Sequence, residues 1–183
     1  MRTLTVAAVL LGFLSLARAA SPGDELVGKP ALGWDASDWM NSAPLTVEGL
    51  RGKVVLVRWF TSKECPYCSV TAPALNQLDA DFRARGLVVV GMYHHKDDEH
   101  PLDVKKVQGW VGDYGFKFPV AVDRDWRTLR RWWLSGPKRD FTSVSFLIDK
   151  KGVVRRVHPG GSMALGTRDY TDMRATIEKL LAE

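Results

Sequence analysis

The sequence is poor in cysteine, because only Cys65 and Cys68 occur among its 183 residues. Two cysteines three positions apart exclude a framework of disulfides between distant segments. A zinc site built on one Cys-x-x-Cys pair would need two more ligands from elsewhere. The chain also lacks an internal repeat and any second long apolar run after its N-terminus. These absences predict one globular domain with no stable membrane insertion once the N-terminus is removed.

The N-terminus has the features of an export signal. Arg2 precedes an apolar stretch over residues 4–16, and Ala17-Arg18-Ala19 supplies the small-x-small pattern of a cleavage site. The stretch is shorter than the roughly 20 residues that a spanning helix needs. We therefore expect residues 1–19 to be a signal peptide and the protein to be periplasmic or otherwise exported.

The charge balance does not favour nucleic acid as a partner. Removal of the signal peptide takes away Arg2 and Arg18, which lowers the formal net charge from +5 to +3. Two arginine clusters remain, at residues 127–131 and 155–156, on the surfaces of a predicted helix and a predicted hairpin. Both are interpreted as solvated faces, and export also argues against a nucleic-acid site.

The first half of the mature chain predicts a parallel strand–helix–strand unit. Residues 20–44, rich in Pro and Gly, are expected to be an irregular lead-in, followed by a short strand at 45–47. The apolar runs 54–60 and 87–93 predict buried strands, and a four-residue apolar spacing between them predicts a helix. Two such strands joined by a helix are expected to be parallel. The main domain is predicted to span residues 45–183.

The second half predicts the remaining layers of an α/β/α domain. A helix over 104–114 and a strand over 118–122 form an inserted αβ element, 102–122. A helix capped by Asp123 or Asp125 follows. Strands at 143–148 and 153–157 predict an antiparallel hairpin, and an amphipathic helix ends the chain. The predicted fold is a three-layer α/β/α domain around a mixed central sheet.

The two cysteines lie where a buried strand gives way to a helix. The disulfide ring of a Cys-x-x-Cys pair is too small to add much stability. A helix N-terminus favours an anion, which predicts a lowered pKa for Cys65, and Pro66 suits the first helical turn. Glu64 acts in the opposite direction, since a neighbouring carboxylate raises a thiol pKa. Cys68, one turn further on, is placed to attack a mixed disulfide on Cys65. The pattern therefore predicts thiol–disulfide exchange.

Several motifs resemble the thioredoxin superfamily, and within it the exported TlpA/ResA-like thiol–disulfide oxidoreductases. They are GKP at 28–30, LRGKVVLVRWF at 50–60, CPYCSVTAPAL at 65–75 and SFLIDKKGVV at 145–154. The resemblance covers roughly residues 28–182. It implies a thioredoxin-like fold, an attacking Cys65 and a resolving Cys68. It also implies protein thiol or disulfide substrates, a redox partner protein and no cofactor. Pro66 and Tyr67, a dipeptide more familiar from glutaredoxins, are candidate modulators.

One departure from this family concerns the loop before the FLID strand. The family usually carries a cis-proline there that faces the disulfide, whereas this sequence has Ser143 in the segment Thr142-Ser143-Val144-Ser145. The family's proline shields the thiols from metal, so its absence makes metal ligation easier. We expect Thr142 and Ser143 to face the disulfide, where their hydroxyls could reach a thiolate or a small substrate.

Two histidines end the second predicted parallel strand. Because both strands point their C-terminal ends to one sheet edge, His94 and His95 are expected near Cys65, as thiolate stabilisers or proton relays. An alternative function follows: a copper- or zinc-binding module or metallochaperone with Cys65, Cys68, His94 and His95 as ligands. A thiol peroxidase ranks last, since the surroundings of Cys65 lack the Pro and Thr placements of peroxiredoxins.

Overall fold

A computed structural model describes residues 21–97 and 99–183 of the chain. The predicted signal peptide, residues 1–19, lies outside the described residues and stays a prediction. Within the described ranges, no helix is long and apolar enough to cross a membrane.

One six-stranded mixed sheet organises the described residues, with spatial order β1-β4-β3-β2-β5-β6. Strands β2, β3 and β4 run parallel to one another, while β1, β5 and β6 pair antiparallel with their neighbours. The strands are β1 (Ser37–Met40), β2 (Val54–Phe60), β3 (Leu87–Tyr93), β4 (Val120–Val122), β5 (Ser145–Ile148) and β6 (Val154–His158). The predicted βαβ unit and C-terminal hairpin are confirmed.

Helices cover both faces of this sheet. They are α1 (Pro66–Phe82), α2 (Val104–Asp113), α3 (Arg127–Leu129, continued by a π-helical turn Arg130–Leu134) and α4 (Arg168–Ala182). Apolar residues of α1, α2 and α4 share one core with Leu56, Phe60 and Cys68. The tryptophans of the α3 region share the other core with Val57 and Trp59. The predicted three-layer α/β/α architecture and the inserted element, α2 and β4, are therefore confirmed.

Alternation along β2 decides which residue faces which core. Successive side chains of a strand point to opposite faces, so Leu56 and Phe60 lie on the α1 side and Val57 and Trp59 lie on the α3 side. Arg58 has the same parity as Leu56 and Phe60. Its guanidinium consequently lies beneath α1, where it hydrogen bonds Thr71 of that helix.

The lead-in is more regular than the sequence predicted. Its residues 37–40 form β1, which adds to the sheet as an edge strand beside β4, with Ser37 opposite Val122. The strand expected at 45–47 does not form. Instead the carbonyl of Leu45 accepts a hydrogen bond from the indole of Trp34, at 2.7 Å, and a 3₁₀ turn begins at Glu48.

A buried carboxylate caps the region of α3. The sequence predicted either Asp123 or Asp125 as the cap. Asp123 accepts hydrogen bonds from the amides of Thr128 and Leu129, at 2.9 and 2.7 Å. Asp125 is instead in a left-handed conformation, with φ of 54°, in the turn that precedes the helix. The capping residue is therefore Asp123.

Candidate functional site

Cys65 and Cys68 occupy the N-terminus of α1, immediately after the strand β2. Cys65 is the N-cap residue in an extended conformation, Pro66 starts the helix, and Cys68 lies in its first turn. The amides of Cys68 and Ser69 donate to the carbonyl of Cys65 at 3.1 Å each. Both cysteines are free thiols; Cys65 is half-buried and Cys68 is buried. The predicted strand–Cys-x-x-Cys–helix arrangement is observed.

The connection from β2 to the cysteines is held in place by its backbone. The carbonyl of Ser62 accepts hydrogen bonds from the amide of Cys65, at 3.1 Å, and from the hydroxyl of Tyr114, at 3.0 Å. The hydroxyl of Ser69 donates to the carbonyl of Lys63 at 2.9 Å. These bonds give the half-buried sulfur of Cys65 a defined position at the helix start.

The surroundings polarise the two thiols in opposite directions. A hydrogen bond from the Cys68 thiol is the main influence that lowers the pKa of Cys65, to about 6, and the amides of Cys68 and Tyr67 and the charge of Arg58 add to it. The same hydrogen bond, together with burial, raises the pKa of Cys68. The half-buried Cys65 is therefore a thiolate near neutral pH, while the buried Cys68 keeps its proton.

The residues next to the cysteines have separate environments. Glu64 is exposed and hydrogen bonds Ser62, which lowers the pKa of its carboxyl. The hydrogen bond from Cys68, the amides of Cys68 and Tyr67 and the charge of Arg58 outweigh the expected opposition from Glu64, because the pKa of Cys65 is lowered. Tyr67 is exposed and packs edge-to-face against Phe141, with ring centroids 5.5 Å apart.

An open cleft of about 630 Å³ borders Cys65. One wall is the chain from Thr61 to Tyr67, and the other comes from the end of β3 and from α2. The residues of that second wall are Tyr93, Lys96, Asp97 and Trp110. A substrate sulfur therefore has room to approach Cys65.

The loop before β5 approaches the site through Phe141, and the hydroxyl of Ser143 is used elsewhere. Ser143 is buried and accepts a hydrogen bond from the amide of Gly161, at 3.2 Å. Cys68, Tyr67, Arg58 and burial are the strongest influences on the pKa of Cys65, and neither Ser143 nor Thr142 is among them. The expectation that their hydroxyls serve the thiolate is therefore not met in this structure. No peptide bond is cis in the described ranges.

His94 lies on the other side of the sheet from the cysteines, contrary to the prediction. Its ring packs edge-to-face on Trp126, 5.0 Å between centroids, and its Nδ1 hydrogen bonds the carbonyl of Phe60 at 2.9 Å. The reason is strand alternation: Tyr93 belongs to the core beneath α1, so the next residue points to the opposite face. Burial lowers the pKa of His94 to about 3, so the ring is neutral.

His95 is engaged by its own loop. Its Nδ1 lies 3.0 Å from the hydroxyl of Tyr93, and its Nε2 lies 2.8 Å from the carbonyl of His100. Nowhere in residues 21–97 and 99–183 do three His, Cys, Asp or Glu side chains come together as a metal site requires. The ligand set Cys65, Cys68, His94 and His95 of the alternative function is therefore not assembled, because the sheet separates His94 from the sulfurs.

A charged residue that the sequence analysis passed over lies behind the cysteines. Arg58 is only 1% exposed, and its charge interacts with both Cys65 and Cys68. The available signal was a single arginine within a seven-residue strand that is otherwise apolar. Such a residue is rarely buried without a role, since burial of an uncompensated charge is costly.

Comparison with solved structures defines the class of fold. The chain aligns with the crystal structure of a thioredoxin-like superfamily protein at a TM-score of 0.68 and 28% identity, over 84% of this chain and 97% of that one. A putative thiol:disulfide interchange protein DsbE from Chlorobium tepidum aligns at a TM-score of 0.68 and 24% identity, over 85% and 97% of the two chains. The protein has a thioredoxin-like fold.

The family is shown by sequence. The model of the AhpC/TSA family matches residues 27–157, and the chain belongs to that family. It is also 29% identical over 128 residues to the thiol-disulfide oxidoreductase ResA of Bacillus thuringiensis strain Al Hakam, covering 70% of this chain. The match spans 66% of the length of that relative, just under two thirds. The resemblance inferred from the motifs is confirmed.

Proposed function

We propose that this protein is an exported thiol–disulfide oxidoreductase that exchanges disulfides with protein thiols through Cys65 and Cys68. The observation that carries the proposal is the polarised pair itself: a half-buried thiol whose pKa is lowered to about 6, next to a buried thiol that keeps its proton. The thiolate is the reactive form of cysteine in exchange. The similarity to a ResA thiol-disulfide oxidoreductase supports the same activity.

In the reductive direction, the Cys65 thiolate attacks one sulfur of a substrate disulfide. A mixed disulfide forms and the other substrate sulfur leaves as a thiolate. Cys68 then loses its proton and attacks Cys65, which closes the Cys65–Cys68 disulfide and releases the second substrate sulfur. Two electrons pass to the substrate. The oxidative direction is the reverse, and a redox partner protein restores the starting state.

Single-cysteine variants test this proposal directly. Cys65→Ser is expected to lower exchange with a model disulfide to the uncatalysed level, because the attacking sulfur is gone. Cys68→Ser is expected to accumulate a mixed disulfide that denaturing, non-reducing gels or mass spectrometry detect. Gln77→Ala, an exposed residue further along the same helix, is the matched control and should retain activity. A wild-type protein that neither oxidises nor reduces the model disulfide would refute the proposal.

The pH dependence of alkylation provides a second test. Only the thiolate reacts with iodoacetamide, so the rate at Cys65 should rise with pH through about 6 and level off above it. An unperturbed thiol would reach its midpoint near ~8.5. Cys68→Ala is expected to move the midpoint upward, because the donor of the main hydrogen bond to the thiolate is lost. A wild-type midpoint above pH 8 would contradict the polarised pair.

The same proposal includes export of the protein and division of the chain into a signal peptide, residues 1–19, and a mature protein. The small-x-small pattern at residues 17–19 supports cleavage after Ala19, which leaves Ala20 as the first residue of the mature chain. Protein recovered from the exported fraction is expected to have the N-terminal sequence Ala20-Ser21-Pro22. Protein that retains Met1 and stays in the cytosol would contradict it.

A further inference from the structure

Among the described residues, the buried cation Arg58 has no carboxylate partner. Its guanidinium donates to the carbonyl of Gly161 at 2.7 Å and to the hydroxyl of Ser145 at 3.2 Å. The hydroxyl of Thr71 and the Nδ1 of His158 lie at 3.5 Å. All four are neutral groups, since burial and the charge of Arg58 lower the pKa of His158. Its Nε has no hydrogen-bond partner within residues 21–97 and 99–183.

The positive charge of Arg58 is not neutralised by a carboxylate of the described residues. Burial lowers the pKa of Arg58 to about 10, which still leaves it protonated at neutral pH. In the part of the chain that the structure describes, no carboxylate lies within 4 Å of its guanidinium. The carboxylate next in line, Asp169, lies 3.4 Å from the far side of His158. A buried charge in this state favours any nearby anion.

The groups that can supply that anion are the two sulfurs. Thr71 is one helical turn beyond Cys68 on the buried face of α1, so its contact with Arg58 places the guanidinium beneath the N-terminal part of the helix that carries the cysteines. Arg58 interacts electrostatically with both sulfurs, and its charge helps to keep Cys65 ionised. The sulfur pair carries a negative charge only in the dithiol state, because a disulfide is neutral.

We propose that Arg58 is the buried counter-charge of the Cys65 thiolate, and that it poises the Cys65–Cys68 pair to oxidise substrate dithiols. This inference rests on the proposed function and adds the direction in which electrons flow, from the substrate to the cysteine pair. In the disulfide state the guanidinium is buried without a counter-charge, whereas in the dithiol state the thiolate neutralises it. The dithiol state is therefore stabilised, and a couple whose reduced form is stabilised is more oxidising.

The oxidation balances with the protein's own disulfide as the oxidant. A substrate thiolate attacks Cys65, the Cys65–Cys68 bond breaks, and Cys68 leaves and takes up a proton. The second substrate thiolate then attacks the substrate sulfur of the mixed disulfide and expels Cys65 as a thiolate above Arg58. Two electrons move from the substrate dithiol to the pair. A second, disulfide-containing reactant reoxidises the pair; glutathione disulfide serves in the experiment.

The test is the redox equilibrium of the pair with glutathione, measured for the wild type, Arg58→Met and Arg58→Lys. Arg58→Met is expected to shift this equilibrium toward the protein disulfide by at least about tenfold, which corresponds to ~30 mV for a two-electron couple. The alkylation midpoint of Cys65 should rise in parallel. Arg58→Lys keeps the charge and should lie nearer to the wild type. Leu129→Ala, buried on the other face, controls for lost stability and should stay within twofold of the wild type.

The outcomes separate this inference from the proposed function. If the wild type exchanges with glutathione and Arg58→Met has the same equilibrium and the same alkylation midpoint, the role of Arg58 is refuted while the function stands. If the wild type does not exchange at all, both are refuted. Should Arg58→Met fail to fold, urea unfolding of the wild type decides the question. A dithiol form more stable than the disulfide form supports the inference, and the opposite order overturns it.

Discussion

The two faces of the central sheet each bury one charged side chain from the neighbourhood of β2, and they satisfy it to different degrees. On the α3 face, the carboxylate of Asp123 accepts three hydrogen bonds, from the Trp59 indole and from the amides of Thr128 and Leu129, at 2.7 to 2.9 Å. On the α1 face, the guanidinium of Arg58 contacts only neutral groups, and its Nε lacks a partner.

The difference separates a structural charge from one that responds to redox state. The donors around Asp123 belong to the protein backbone and to an indole, so they are the same in every state of the cysteines. The anion that best suits Arg58 is a thiolate that exists only when the pair is reduced. A buried charge with a permanent set of hydrogen-bond partners stabilises the fold in both redox states. A buried charge whose counter-ion exists only in the dithiol state stabilises that state relative to the disulfide.

The largest expected effect is on stability, from removal of the Asp123 carboxylate and its three hydrogen bonds. Asp123→Ala leaves three buried donors without an acceptor, at about 1–3 kcal/mol each, so the free energy of unfolding should fall by at least ~3 kcal/mol. The glutathione equilibrium of the pair should not change. Urea unfolding and the redox titration measure the two quantities. Asp113→Ala, an exposed carboxylate of α2, is the control and should stay within ~0.5 kcal/mol. A change in redox equilibrium for Asp123→Ala would show that the two faces are not independent.

An intermediate effect is expected from His94, the second ionisable group on the α3 face. Burial lowers its pKa from 6.5 to about 3, so the unfolded chain takes up a proton below pH 6.5 while the folded protein does not. Stability is therefore present above pH 6.5 and is lost as the pH falls toward 3, by about 2 kcal/mol at pH 5. His94→Asn, which keeps a donor for the carbonyl of Phe60, should lack this loss.

Unfolding measured at pH 7.5 and pH 5 checks the role of His94. The offset between wild type and variant at pH 7.5 serves as the internal control for the substitution itself. Equal acid losses in the two proteins would mean that the ring is accessible to protons in the folded state. That result would also reopen the question of which face His94 occupies.

The smallest expected effect concerns the loop before β5. Ser143→Ala removes the acceptor for the amide of Gly161 and should cost ~1 kcal/mol of stability, without moving the alkylation midpoint of Cys65. Thr142→Val tests the neighbouring hydroxyl in the same way and should also leave the midpoint unchanged. A higher midpoint in either variant would show that the hydroxyl serves the thiolate after all.

Much of the fold was predictable because its strongest signals are local. The bounds of β2 and β3, 54–60 and 87–93, follow from continuous runs of β-branched and aromatic residues between turns. The edge strand Ser37–Met40 was missed because it depends on pairing with β4, 80 to 85 residues later in the chain. Leu45, Thr46 and Val47 resemble a strand because two of them are β-branched and two are apolar, but none of the described strands pairs with them.

The sequence by itself determined the reactive pair: two cysteines, a proline and a helix start are neighbours along the chain, so their chemistry follows from local structure. Only the tertiary structure decided what surrounds the pair. A one-residue step along a strand reverses the direction of a side chain, which carried His94 away from the sulfurs and placed Arg58 beneath them. Burial and long-range packing then set the charges of both residues, and neither can be read from spacing alone.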